Sequence, residues 1–137
     1  MSVYAAYPDG LLGTDIFHDV SICDSEGVLS IHLVDGSERE VTVRFGDYLV
    51  YRKLDEGDAL RTLTVSAGTP RSTIKTVTGS DFLAWFHAES YGIREDEGLM
   101  HFSVWTIDNI IDVIALSPPE ILRAGPPGSG SPVGTSD

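Results

Sequence analysis

The groups in this chain that could do chemistry are few: four histidines, one cysteine and a surplus of carboxylates. The sharpest arrangement among them is a row of carboxylate, imidazole and carboxylate. The strand register argued below sets Asp19 across from His32, and His32 across from Glu40, on the outward face of a sheet. An imidazole held between two acids would act as a base of raised pKa, or join them around a divalent metal. Cross-strand charge pairing on a solvated face produces the same pattern without chemistry, and no neighbouring loop builds a pocket over it. Asp19, His32 and Glu40 are therefore the alternative catalytic set, and the residues call for no metal and no cofactor.

A second surface centres on Trp105, which lies on the non-core side of a hairpin near His101, Ser103 and Asp112. A large amphipathic ring among polar neighbours is a frequent interface anchor. A second layer usually covers such an aromatic in a monomer. Trp105, Asp112 and His101 are the candidate binding residues on this reading. His18 sits on an otherwise apolar strand face, where a hydrogen-bonded core histidine is expected. Cys23 has no activating neighbour and reads as a quiet buried thiol. Ser90 lies beside Glu89 and His87, but the three do not share a helix face and no G-x-S-x-G elbow occurs. The glycine-rich segments match neither nucleotide-binding spacing.

The elements that must position these residues follow from hydrophobic periodicity. Thr14–Cys23, Val28–Val34 and Glu40–Phe45 alternate apolar and polar residues and are separated by turn signals at hairpin spacing. A loop at Asp24-Ser25-Glu26-Gly27 sets Cys23 opposite Val28 and Ile22 opposite Leu29. A three-residue loop at Asp35-Gly36-Ser37 pairs Ile31 with Val41 and keeps the apolar sets on one face, which a two-residue Asp-Gly turn would not. Tyr48–Arg52 and Ser72–Val77 resemble further strands, with a short helical turn within Asp55–Leu63 and a break at Gly68-Thr69-Pro70. Ser80 N-caps a helix over Asp81–Tyr91 whose apolar side carries Phe82, Leu83, Trp85 and Phe86, and Gly92 follows as the C′ residue. Leu99–Ile107 and Ile110–Leu116 form a last hairpin, turned at Asp108-Asn109, with Phe102, Val104, Ile111, Val113 and Ala115 facing the core. The expected class is α+β: antiparallel hairpins with one main helix. One domain spans 1–121, and 122–137 forms a Pro/Gly/Ser-rich tail that cannot bury enough apolar surface to order itself.

Charge narrows the function classes. The chain carries a net −12, divided as −7 over residues 1–50, +2 over 51–76 and −7 over 77–137. A field of this sign repels phosphate backbones and anionic lipid, which argues against nucleic acid and membrane as partners. It steers in a basic protein. With no signal-like N-terminus, no bilayer-length apolar run and one cysteine, a cytoplasmic location is expected. The favoured reading is a small acidic non-enzymatic protein that docks a basic partner, as inhibitors and immunity proteins do. Its alternatives are a small metal- or acid/base-dependent enzyme using Asp19, His32 and Glu40, and a structural or oligomerising subunit.

Overall fold

The computed structural model describes residues 2–7, 17–59, 62 and 72–123. The strands are β1 (Val3–Ala6), β2 (Phe17–Ser25), β3 (Val28–Asp35), β4 (Glu40–Phe45), β5 (Tyr48–Asp55), β6 (Ile74–Thr78), β7 (Met100–Trp105), β8 (Asn109–Ala115) and β9 (Glu120–Arg123), with the helix α1 at Asp81–Glu89 between β6 and β7. All pairings are antiparallel. They build a five-stranded sheet in the order β1-β6-β7-β8-β5 and a four-stranded sheet in the order β2-β3-β4-β9. The α+β class expected from the sequence is the one observed.

The two sheets pack across a single apolar core. Leu29, Ile31, Leu33, Val41, Val43 and Phe45 from the smaller sheet meet Ile74, Phe102, Val104, Ile111, Val113 and Ala115 from the larger. The rings of Phe45 and Phe102, with centroids 5.7 Å apart, join the layers. Fully burying one side chain of this kind contributes roughly 1.5–3 kcal/mol, so the shared interior dominates the energetics of the fold.

The registers keep the expected faces but shift their pairings. In the first hairpin Ile22 pairs with Ile31 and Ser25 with Val28, which leaves a two-residue Glu26-Gly27 turn with φ of 54° and 81°. Positive φ at both positions matches the twist of the strands, so the expected four-residue loop is corrected to this tighter one. In the second hairpin Ile31 pairs with Val43 and Leu33 with Val41. Asp35 Oδ1 accepts from the backbone N–H groups of Ser37 and Arg39, each at 2.9 Å, and Glu38 takes φ 64°. The loop is three residues long as expected, but comprises Gly36-Ser37-Glu38. In the last hairpin Trp105 pairs with Ile110 and Ser103 with Asp112, where the two-residue turn expected at Asp108-Asn109 pairs Ile107 with Ile110 and so sets Trp105 against Asp112. Each change is a slip of two residues, which leaves the inward face unchanged.

The helical turn expected near Asp55 is a 3₁₀ turn, Glu56–Asp58, with the Asp55 carboxylate accepting from Gly57 N–H at 2.7 Å. The strand expected to end at Arg52 continues to Asp55. Leu122 and Arg123, assigned to the tail, belong to β9; the rest of that tail and Gly68-Thr69-Pro70 lie outside the described residues.

Candidate functional site

The expected row of Asp19, His32 and Glu40 is not assembled. The two-residue slips of the hairpins set His32 between Ser21 and Thr42 and Glu40 against Val34, and a β-bulge in β2 between Asp19 and Ser21 reverses the alternation, so Asp19 pairs with Leu33. Regular alternation carries no sign of a bulge, which inserts one residue and flips every side chain beyond it. Asp19 consequently turns inward, toward the larger sheet. It accepts from Thr106 Oγ1 at 2.6 Å and from Asn109 Nδ2 at 2.9 and 3.0 Å. Partial burial pushes the Asp19 carboxyl up, but these hydrogen bonds outweigh it and hold the carboxyl below its ordinary range. Asp19 is thus a tie between the sheets, reinforced by a bond from Ile107 N–H to Phe17 O at 2.8 Å. His32 Nδ1 lies 3.0 Å from Thr42 Oγ1. Among the described residues no group of three His, Cys, Asp or Glu side chains is placed to hold a metal.

Two further expectations are corrected, the first by the same bulge. Phe17 is buried and His18 is not a core histidine: half exposed, it lies 3.3 Å from Asp108. Cys23, expected buried, pairs with Ser30 on the outward face and is exposed. Ser90 donates to Phe86 O at 2.7 Å as the helix ends, so its hydroxyl serves the backbone.

The face expected to hold an anchor at Trp105 is a covered polar layer. Antiparallel pairing aligns Lys75, Ser103, Asp112 and Arg52 across β6, β7, β8 and β5. His101 sits in the next row, and α1 lies over it through Phe82, whose ring meets the imidazole edge-on at 5.4 Å. His101 Nε2 donates to Asp112 Oδ1 at 2.8 Å, and Arg52 Nε donates to Asp112 Oδ2 at 3.0 Å. On its other side, His101 Nδ1 lies 2.6 Å from Ser80 Oγ. Ser80 Oγ in turn accepts from Leu83 N–H at 2.9 Å, as the expected N-cap of α1. Burial alone would push the Asp112 carboxyl up. The His101 hydrogen bond and charge, followed by Arg52 and Ser103, outweigh burial and hold it below its ordinary range.

Trp105 is half-buried, not open. Its indole N–H donates to Ser103 Oγ at 2.8 Å, the Tyr4 ring meets it edge-on at 6.1 Å, and the Lys75 ammonium lies 4.5 Å from its ring centre. Lys75 also donates to Ser72 O at 2.6 Å. Burial pulls the Lys75 amine below its ordinary pKa. His101 and Asp112 are closed to solvent, so neither forms an open surface beside Trp105.

A serine, histidine and aspartate in sequence through hydrogen bonds is the order of a nucleophile relay. Two facts assign this one to structure. The imidazole side chain is only 1 % exposed, and Ser80 Oγ already accepts the helix N–H. The chain from Asp112 through His101 and Ser80 to Leu83 N–H locks α1 to the sheet, and mutual hydrogen bonding is how a buried polar network becomes favourable. Comparison with protein-family models, characterised proteins and solved structures found no match. Among the described residues no helix is long and apolar enough to cross a membrane.

The surface beyond α1 was not singled out by sequence reasoning. Tyr91 takes φ 55° in the helix C-terminal turn, where Gly92 N–H returns to His87 O at 2.8 Å. The turn throws Tyr91 outward, 94 % exposed, and Ile93 follows at 77 %. Glu89, Glu95, Asp96 and Glu97 surround them in sequence, and Arg94 is engaged by Glu97 at 2.8 Å. An aromatic immediately before a C′ glycine was the available signal. Gly92 is the C′ residue the sequence announces, and Tyr91 before it adopts positive φ as well.

Proposed function

We propose that this chain is a non-enzymatic acidic binding protein that docks a basic protein partner through the turn after α1. The observation that carries the reading is the exposure of Tyr91 and Ile93 inside a segment holding four acids and one base. Exposed apolar side chains give a partner something to bury, and the acidic rim favours a cationic surface and repels an anionic one. The placement differs from the Trp105 anchor expected from sequence, because Trp105 is engaged by Ser103, Tyr4 and Lys75. The enzyme alternative built on Asp19, His32 and Glu40 loses its basis with the row itself.

The test is affinity capture from source cells with the wild-type chain beside a Tyr91→Ser/Ile93→Ser variant. The reading predicts a basic protein recovered in stoichiometric amount by the wild type, lost by the variant and lost at high salt. Identical recoveries by both chains would refute it.

A further inference from the structure

The larger sheet carries a second feature that does not depend on the docking turn. A cleft of about 510 Å³ opens between α1, β1 and β5, lined by Arg52, Leu54, Tyr4, Phe82 and Trp85 among others. Its size lies within the range of small-ligand sites. Two cations, Arg52 and Lys53, line this cleft, and Arg52 is held from two sides. Its Nε is bound to Asp112, and its guanidinium carbon lies 4.1 Å from the centre of the Phe82 ring. Among the described residues its two terminal nitrogens make no hydrogen bond, and the side chain is 48 % exposed while Asp112 is 3 % exposed. The arginine is therefore fixed at its inner edge and open at its outer one. Trp85 stacks on Phe82, with ring centroids 5.7 Å apart at an interplanar angle of 7°, and is itself 50 % exposed. Leu54, 37 % exposed, adds a second apolar contact.

We infer that this cleft binds a small aromatic monocarboxylate, with Arg52 receiving the carboxylate and Trp85 and Leu54 covering the ring. A planar guanidinium whose outer edge offers two parallel N–H donors matches a carboxylate better than a point cation would. Asp81 also lines the cleft and Asp112 lies behind Arg52, so two acids offset Arg52 and Lys53, and a dianion such as a phosphate monoester is disfavoured. A cationic ligand is repelled by Arg52. The ring-sized apolar contacts select an aromatic acid over acetate. The buried network gives this assignment a purpose for its rigidity: His101 and Asp112 hold Arg52 in place, as positioning residues.

Titration of the full chain with benzoate, followed by the indole N–H of Trp85 and the Nε–H of Arg52 in nitrogen-edited NMR spectra, tests the proposal. The expected result is saturable shifts confined to the cleft, with a Kd on the order of 1 mM or tighter, and none with benzamide. Arg52→Gln should weaken benzoate roughly tenfold or more, the scale of a lost charge-assisted pair. Arg52→Lys keeps the charge, loses the fork and should fall between; it serves also where Arg52→Gln fails to fold. Equal responses to benzoate and benzamide, or equal affinity in wild type and Arg52→Lys, would overturn the proposal. A peptide ending in phenylalanine with a free α-carboxylate is the comparison ligand. Tighter binding of that peptide than of benzoate would place the ligand at a chain terminus and overturn the small-molecule assignment.

Discussion

The outer faces of the two sheets begin from the same kind of sequence and end as different environments. Each presents a histidine, hydroxyls and carboxylates at alternate positions of antiparallel strands. On the four-stranded sheet the face stays open: His32 meets Thr42 and little else. On the five-stranded sheet α1 closes over the face, and His101, Asp112 and Ser80 form a chain in which each polar atom has a partner. An isolated polar group costs free energy when buried, so covering the second face required the network to be complete. Cover, rather than residue type, decides whether such a row is surface decoration or structural framework.

The largest effect that would sharpen this contrast comes from Asp112. Asp112→Asn removes the charge that both His101 and Arg52 address, and should cost about 3 kcal/mol in urea unfolding. A loss below that seen for surface substitutions would break the comparison. Ser80→Ala comes next, at about 1–2 kcal/mol for a lost N-cap. If the chain is framework, a fluorophosphonate probe should leave Ser80 unlabelled in the folded protein. Stoichiometric labelling at Ser80, abolished by Asp112→Asn, would make it a nucleophile instead.

Acid should act through the same groups. Asp19 and Asp112 are both held below the ordinary value of 3.8. A carboxyl depressed by folding contributes stability above its unfolded pKa and loses that contribution as pH falls through the folded one. Stability should therefore decline below about pH 4, and less steeply in Asp112→Asn once its lower starting value is taken into account. The smallest effect belongs to the open sheet: His32→Ala should change stability by no more than about 0.5 kcal/mol. A larger loss would mean that the two faces are not the contrast drawn here.

Much of the architecture was legible because it depends on periodicity. The inward residues of β3, β4, β7 and β8 and the Ser80 cap follow from alternation and capping chemistry that act locally. The misplaced parts depend on single-residue insertions or on contacts distant in sequence. The bulge after Asp19, together with the two-residue slips of the hairpins, removed the Asp19, His32 and Glu40 row, and the bulge exposed His18. The pairing of β5 with β8 brought Arg52 to Asp112 across sixty positions of chain, and no local pattern announces such a meeting. β1 and β9 were missed because four-residue strands carry too little alternation to distinguish them from loop.

The docking claim is tested most directly by the association kinetics of the captured basic partner, measured by surface plasmon resonance across a range of salt concentrations. Exposed charges are screened beyond roughly 8 Å at physiological ionic strength, so wild-type association should slow steeply as salt rises. Glu95→Gln/Asp96→Asn/Glu97→Gln should flatten that dependence, while Tyr91→Ser/Ile93→Ser should mainly speed dissociation. Association rates indifferent to salt, with dissociation unchanged in the Tyr91→Ser/Ile93→Ser chain, would contradict the account.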